Sequence, residues 1–265
     1  MTFEDRELED AVMSAHDALD DDQAADVLAR LSPRLKASTA SPGLRAEAHG
    51  LCAVAARALG LPLEARAHAQ AACDLLEPPA SDEDRSALSA ILEDAAEIEI
   101  ATRSYAAARR CLERAVALRG ELGEAVAADT WLALVEVAQR EGDGRRALDA
   151  AARALAAATG DDDLESQALA LELRGDILAA RAGSTRPDAD EAYALAGEQW
   201  AALGDPTAAG RCLLGRARLA EQSDDAAALG THVARLRTLD IPDPPRTAMI
   251  DEAEELLLSF EPGPP

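Results

Sequence analysis

The chain has 265 residues, of which 48% are hydrophobic but only 2% aromatic, and it carries a formal charge of −24 from 50 acidic and 26 basic side chains. A surface of that sign repels nucleic acid and anionic membranes. It favours basic proteins or peptides as partners, or serves solubility alone.

The apolar content lies in Ala and Leu, strong helix formers, and not in the β-branched and aromatic residues of strands, so an all-α chain is expected. The opening residues, MTFEDRELED, lack the basic and apolar regions of a secretory leader. No run of roughly eighteen apolar residues could span a membrane. A cytoplasmic protein is expected. Lys36 is the only lysine, and the Arg, Ala and Gly bias suits a high-GC genome. Helical periodicity places a first helix at 4–19 and a second from Asp22, which Pro33 should kink or end. These form a degenerate N-terminal pair over 1–38. Turn-rich stretches follow at 37–43, 77–84, 160–163, 183–190 and 240–245. The segment 245–260 reads as a C-terminal capping helix, with Pro245 suited to its first turn, and the tail EPGPP should fray. Four cysteines, at 52, 73, 111 and 212, sit among Ala and Leu and are expected as buried, reduced thiols.

EGDGRRALDAA, 141–151, needs a decision. Gly142, Gly144 and Ala147 have the spacing of a dinucleotide-binding loop, and Asp161–Asp163 follow where a ribose-binding carboxylate would stand. Such a loop must follow a strand. Here Trp131, Leu134, Val135 and Ala138 fall at i, i+3, i+4 and i+7, a helical stripe. The stretch is a turn between helices.

The same punctuation recurs. A turn is followed by Ala65, Ala69 and Ala72, then by Ala108, Leu112 and Ala115, then by Ala147, Ala151 and Ala154. A fourth copy has Ala192 and Ala196, with Gln199 in the third place, and a weaker fifth is led by Ala228. The leading residues are separated by 43, 39, 45 and 36 positions. Trp131, Leu134, Val135 and Ala138, then Ala147 and Ala151, follow the W-x-x-L-G-x-x-Y…A-x-x-x-F order of a helix pair. Leu92, Ala95 and Ala96 take the corresponding places in the second repeat, with Tyr105 in its turn, and Leu171, Gly175 and Leu178 in the fourth, interrupted by Arg174. On these residues the segment 43–240 resembles the tetratricopeptide repeat family in a bacterial, actinobacterial-type form. The resemblance implies a right-handed α-solenoid of about six helix-turn-helix pairs with a capping helix, continuous from the N-terminal pair to the end.

Catalytic motifs are sparse. There is no H-E-x-x-H, nucleophile elbow or P-loop. His49 and Cys52 are one helical turn apart and could touch one metal, but two further ligands would be needed. The Asp runs at 20–22 and 161–163 suit helix caps. No cofactor and no metal are expected. The resemblance implies a groove lined by the first helix of each pair: Glu47, Val54 and Arg57; Glu93, Asp94 and Glu97; Asp129, Glu136 and Arg140; Glu172 and Asp176. These positions are mostly acidic and do not form the Lys/Asn/Arg carboxylate clamp of some members. A non-catalytic scaffold or adaptor binding a protein or peptide is expected, with basic partners favoured by the charge. Alternatives are a regulatory module that signals on binding and, from another class, a metal-dependent enzyme. Self-association is open.

Overall fold

A computed structural model describes residues 3–20, 23–181 and 186–259. Among them are thirteen α-helices and no strand. The chain divides into two compact units, 1–126 and 127–265. The first holds α1 (Phe3–Asp20), α2 (Ala24–Ala37), α3 (Pro42–Ala58), α4 (Pro62–Leu76), α5 (Asp82–Ala101) and α6 (Tyr105–Leu122). The second holds α7 (Ala128–Arg140), α8 (Gly144–Gly160), α9 (Leu164–Ala179), α10 (Arg186–Ala202), α11 (Pro206–Gln222), α12 (Ala226–Thr238) and α13 (Pro245–Leu258). Helix α2 runs through Pro33 to Ala37, so that proline does not end it. Asp21 and Asp22 lie outside the described residues, as do 182–185 and the tail from 260.

Local chemistry fixes the helix ends. Asp143, Asp163, Asp205 and Asp225 each accept a backbone N–H three residues on, at 2.9–3.1 Å, removing one unpaired donor from each helix start. Pro42, Pro62, Pro206 and Pro245 stand in first turns, where no N–H is needed. One turn recurs seven times among the described residues. A residue at φ of +55° to +77° follows the helix, and the next N–H reaches back to the carbonyl five residues earlier, as from Asp143 to Ala138 at 2.8 Å. The left-handed residues are Gly60, Arg103, Gly123, Gly142, Asp162, Gly204 and Asp224. In the stretch 141–151, only Gly142 needs that freedom; Gly144 is the first residue of α8.

Each helix packs on the next in sequence within its unit. In addition α1 touches α3 and α3 touches α5; in the other unit α7 touches α9, α9 touches α11 and α11 touches α13. Even-numbered helices make no such contact with one another among the described residues. Odd-numbered helices thus draw together on one side while even-numbered ones splay on the other, and each unit curves with its odd-numbered helices on the inner side.

Even-numbered helices enter the core through small residues. Ala65, Ala69, Ala72 and Leu76 of α4 and Ala147, Ala151, Ala154 and Ala158 of α8 are almost wholly buried. Helix α10 repeats this 4-3-4 spacing as Ala189, Tyr193, Ala196 and Trp200. The fourth repeat is therefore led by Ala189, not Ala192, and Gln199 is not its third member. In α12 the leading residue is Leu229, fully buried, not Ala228. From Val27 of α2, the leading positions follow at 38, 43, 39, 42 and 40 residues, more even than Ala alone suggests. Helix α13 covers the end of the second unit, placing Ala253, Met249, Ile250 and Leu257 against Leu214, Leu229 and Leu236.

Candidate functional site

In the first unit the inner helices are cross-linked by charge. His16 Nε2 of α1 lies 2.9 Å from Glu47 Oε1 of α3, and Arg57 of α3 pairs with Glu97 of α5 at 2.9 Å. Glu93 turns towards α6 and accepts N–H bonds from Arg119 Nε at 3.2 Å and from one of its terminal nitrogens at 2.9 Å. It is a structural partner of α6 and not an open groove carboxylate. Asp94 stands between these pairs. Burial pushes its carboxyl up to about 6, with repulsion from Glu97 and Glu93 adding and Arg57 opposing. Val54 is half-buried on α3.

In the second unit the predicted positions divide. Asp129 is exposed in the first turn of α7, and Glu136 and Arg140 form an exposed i,i+4 pair at 3.8 Å. Glu172 is only 8% exposed. Its oxygens accept Trp200 Nε1 at 2.9 Å and Arg211 at 2.7 and 3.1 Å. This corrects its expected groove role: a buried carboxylate must be paired, and here it joins α9, α10 and α11. Asp176 accepts the Tyr193 hydroxyl at 2.6 Å. Loss of hydration raises the Asp176 pKa, partly offset by that hydrogen bond.

Between α7 and α9 lies a shallow depression of about 570 Å³. Leu132, Leu169 and Leu173 floor it, all half-buried, with Glu136 and Arg140 at its edge. The leucines escaped the sequence reading, which followed charge on the inner face. Their signal lay in spacing: Leu132 is three residues after Asp129 and four before Glu136, and Leu169 and Leu173 stand three residues before Glu172 and Asp176.

The other chemistry is structural. His49 Nδ1 meets His68 Nδ1 at 2.9 Å across α3 and α4, so His49 faces another imidazole and not a metal shared with Cys52. Burial, with His68 and Arg45 adding, lowers the His49 pKa to about 4. Cys52 and Cys212 are buried, while Cys73 and Cys111 are half-buried, and all four are free. Burial pushes the Cys212 thiol up to about 12, which makes it a poor nucleophile. Among the described residues no three His, Cys, Asp or Glu side chains gather as a metal site, and no helix is long and apolar enough to cross a membrane.

No protein-family model matches the chain, and no curated protein is significantly similar to it. Solved structures do match. BtubC from P. vanneervenii is 15% identical with a TM-score of 0.62, over 100% of this chain and 96% of that one. PilF of Pseudomonas aeruginosa is 15% identical with a TM-score of 0.65, over 96% and 99%. A putative kinesin light chain from Podosopora anserina, with nearly identical TPR-like repeats, is 17% identical with a TM-score of 0.60, over 77% and 99%. At these identities the likeness carries the fold, an all-α helical repeat of tetratricopeptide type.

Proposed function

We propose that this chain, which has the tetratricopeptide-repeat fold, is a non-catalytic scaffold that binds a partner protein or peptide on the inner side of its odd-numbered helices. One observation carries the reading: Leu132, Leu169 and Leu173 remain partly open to solvent on the inner face, beside a charged pair, although the adjoining core is closely packed. Exposed apolar surface rimmed by polar groups marks interaction sites. A segment with two or three apolar side chains along one face fits that floor. Basic flanks would suit Asp129, exposed at the start of α7 in the same unit. The overall charge supports a protein partner over nucleic acid or an anionic membrane, and a cytoplasmic setting agrees with the reduced thiols.

The test is a pull-down with the intact chain against a Leu169→Asp, Leu173→Asp double variant. Both side chains are half-exposed, so the variant should keep its helical circular dichroism and melting curve. Stoichiometric partners of the intact chain should be lost from the variant. Retention of the same partners at equal yield by the folded variant sinks the reading. Asp129→Lys tests the basic flank. It should weaken a basic partner and flatten the salt dependence of binding.

A further inference from the structure

The outer side of the first unit carries a groove of about 240 Å³ between α4 and α6, floored by Leu92, Ala95 and Ile98 of α5. Each wall holds a thiol. Cys73 of α4 and Cys111 of α6 are half-buried, line the groove from opposite sides and pack on the same apolar cluster. An ion pair fixes their level. Arg114 Nε of α6 meets Glu77 Oε1 of α4 at 3.2 Å. One turn earlier on each helix, four residues before Glu77 and three before Arg114, stand Cys73 and Cys111. The two thiols therefore face each other across the groove. Burial pushes the Cys73 thiol up to about 12, and of the charges around it a Cys111 thiolate opposes its ionisation most, ahead of Glu77 and Asp74.

The pair is too wide for a disulfide. No Cα atom of α4 comes within 8 Å of one in α6, whereas a disulfide joins Cα atoms about 4.4–6.8 Å apart. One interposed atom changes the reach. Replacing an S–S bond of ~2.05 Å by two metal–sulfur bonds of ~2.3 Å extends the span to roughly 9 Å. The neighbouring carboxylates are taken. Glu99 gives both oxygens to Arg66, at 2.6 Å each, and Glu77 is held by Arg114. Among the described residues no third His, Cys, Asp or Glu joins the thiols. Tetrahedral zinc needs four ligands, while a soft cation is satisfied by thiolate sulfur.

We propose that Cys73 and Cys111 bind one soft monovalent cation of the Cu(I) class as a two-coordinate bis-thiolate bridge between α4 and α6. Each thiol gives up its proton, so two protons leave as one cation enters, and the oxidation state of the metal does not change. The bridge carries one net negative charge, which Arg110 beside Cys111 offsets. The cation also removes the repulsion between the two thiolates. It ties together two even-numbered helices that otherwise do not touch, and so stiffens the first unit.

The test is anaerobic titration of the intact, reduced chain with Cu(I), in competition with a chromogenic Cu(I) chelator. One cation per chain is expected, with two sulfur neighbours by X-ray absorption and a raised melting temperature. Cys73→Ser and Cys111→Ser should each weaken binding by more than about a hundredfold, since even outer-shell partners of a metal are worth roughly 10–100-fold. Cys212→Ala, buried in the other unit, should leave binding unchanged. Melting curves of the metal-free variants check that they fold. Binding by either folded serine variant as tight as that of the intact chain, a metal-bridged dimer, or tighter retention of Zn(II) than of Cu(I) overturns the proposal. Leu169 and Leu173 play no part in this readout, so the partner-binding reading and this one fail separately.

Discussion

At the scale of single residues, two titrating groups of the first unit oppose each other. Asp94 has a folded pKa of about 6, above the ordinary carboxylate value. The native state therefore binds more protons than the unfolded one between roughly pH 4 and 6, and stability falls as pH rises through that window. His49 is displaced downward to about 4. There the unfolded state binds more protons, and stability falls as pH drops from roughly 6.5 to 4. The two nearly cancel in the parent chain. Asp94→Asn should stabilise the protein at pH 7 by about 1–2 kcal/mol and leave a steeper loss on acidification. His49→Gln should leave the opposite slope. Urea melts at pH 4.5, 5.5 and 7 check both, and parallel pH profiles for the two variants would contradict these assignments. The sequence showed that these residues are present and helical. It could not show that Asp94 is crowded by Glu93 and Glu97, or that His49 meets a histidine nineteen residues away, because both depend on how neighbouring helices dock.

At the scale of elements, α9, α10 and α11 are held by one aromatic ring as well as by Glu172. A Cβ on Gly175 of α9 would stand 2.7 Å from Tyr193 Cδ1, and one on Gly215 of α11 would stand 2.7 Å from Tyr193 Cζ. The ring is clasped between two helix backbones that approach because neither has a side chain there. Gly215→Ala should cost about 1–3 kcal/mol, since the ring cannot leave without giving up its bond to Asp176. Gly120→Ala, in the last turn of α6 with open space around it, should instead gain about 0.5–1 kcal/mol. Thermal melts of the two variants should move in opposite directions. Tyr193 also explains the register that the alanine pattern misplaced in α10. PDADEAYALAGEQW, 187–200, has Ala at several helical phases, so small residues alone do not select a face. Packing selects the phase that also buries Tyr193 and Trp200, which removes far more apolar surface from water. Where Ala stood beside only one phase of large residues, as in α4 and α8, the register was legible.

At the scale of the whole molecule, a charge of −24 on 265 residues works against the compact state through self-repulsion. Ion pairs such as Arg66–Glu99 and Arg119–Glu93 offset it only locally. Raising sodium chloride from low to physiological strength should therefore lift the melting temperature by roughly 2–5 °C. A falling melting temperature would mean that attractive pairs dominate. The fold class was readable because composition and repetition act over the whole chain. The inner face was readable only in outline: Glu136 and Arg140 do border the α7–α9 depression, but its leucine floor and the burial of Glu172 follow from contacts between helices.

The left-handed turn has a last consequence. The same backbone geometry joins α7 to α8 within a pair, at Gly142, and α8 to α9 between pairs, at Asp162. At these junctions the main chain carries no mark of where one repeat stops and the next begins. That phase is written only in side chains, in the alanine files of the even-numbered helices and the larger residues opposite them. A variant that exchanged those files between adjacent helices would keep every turn and every cap, yet would turn the curvature of its unit inside out.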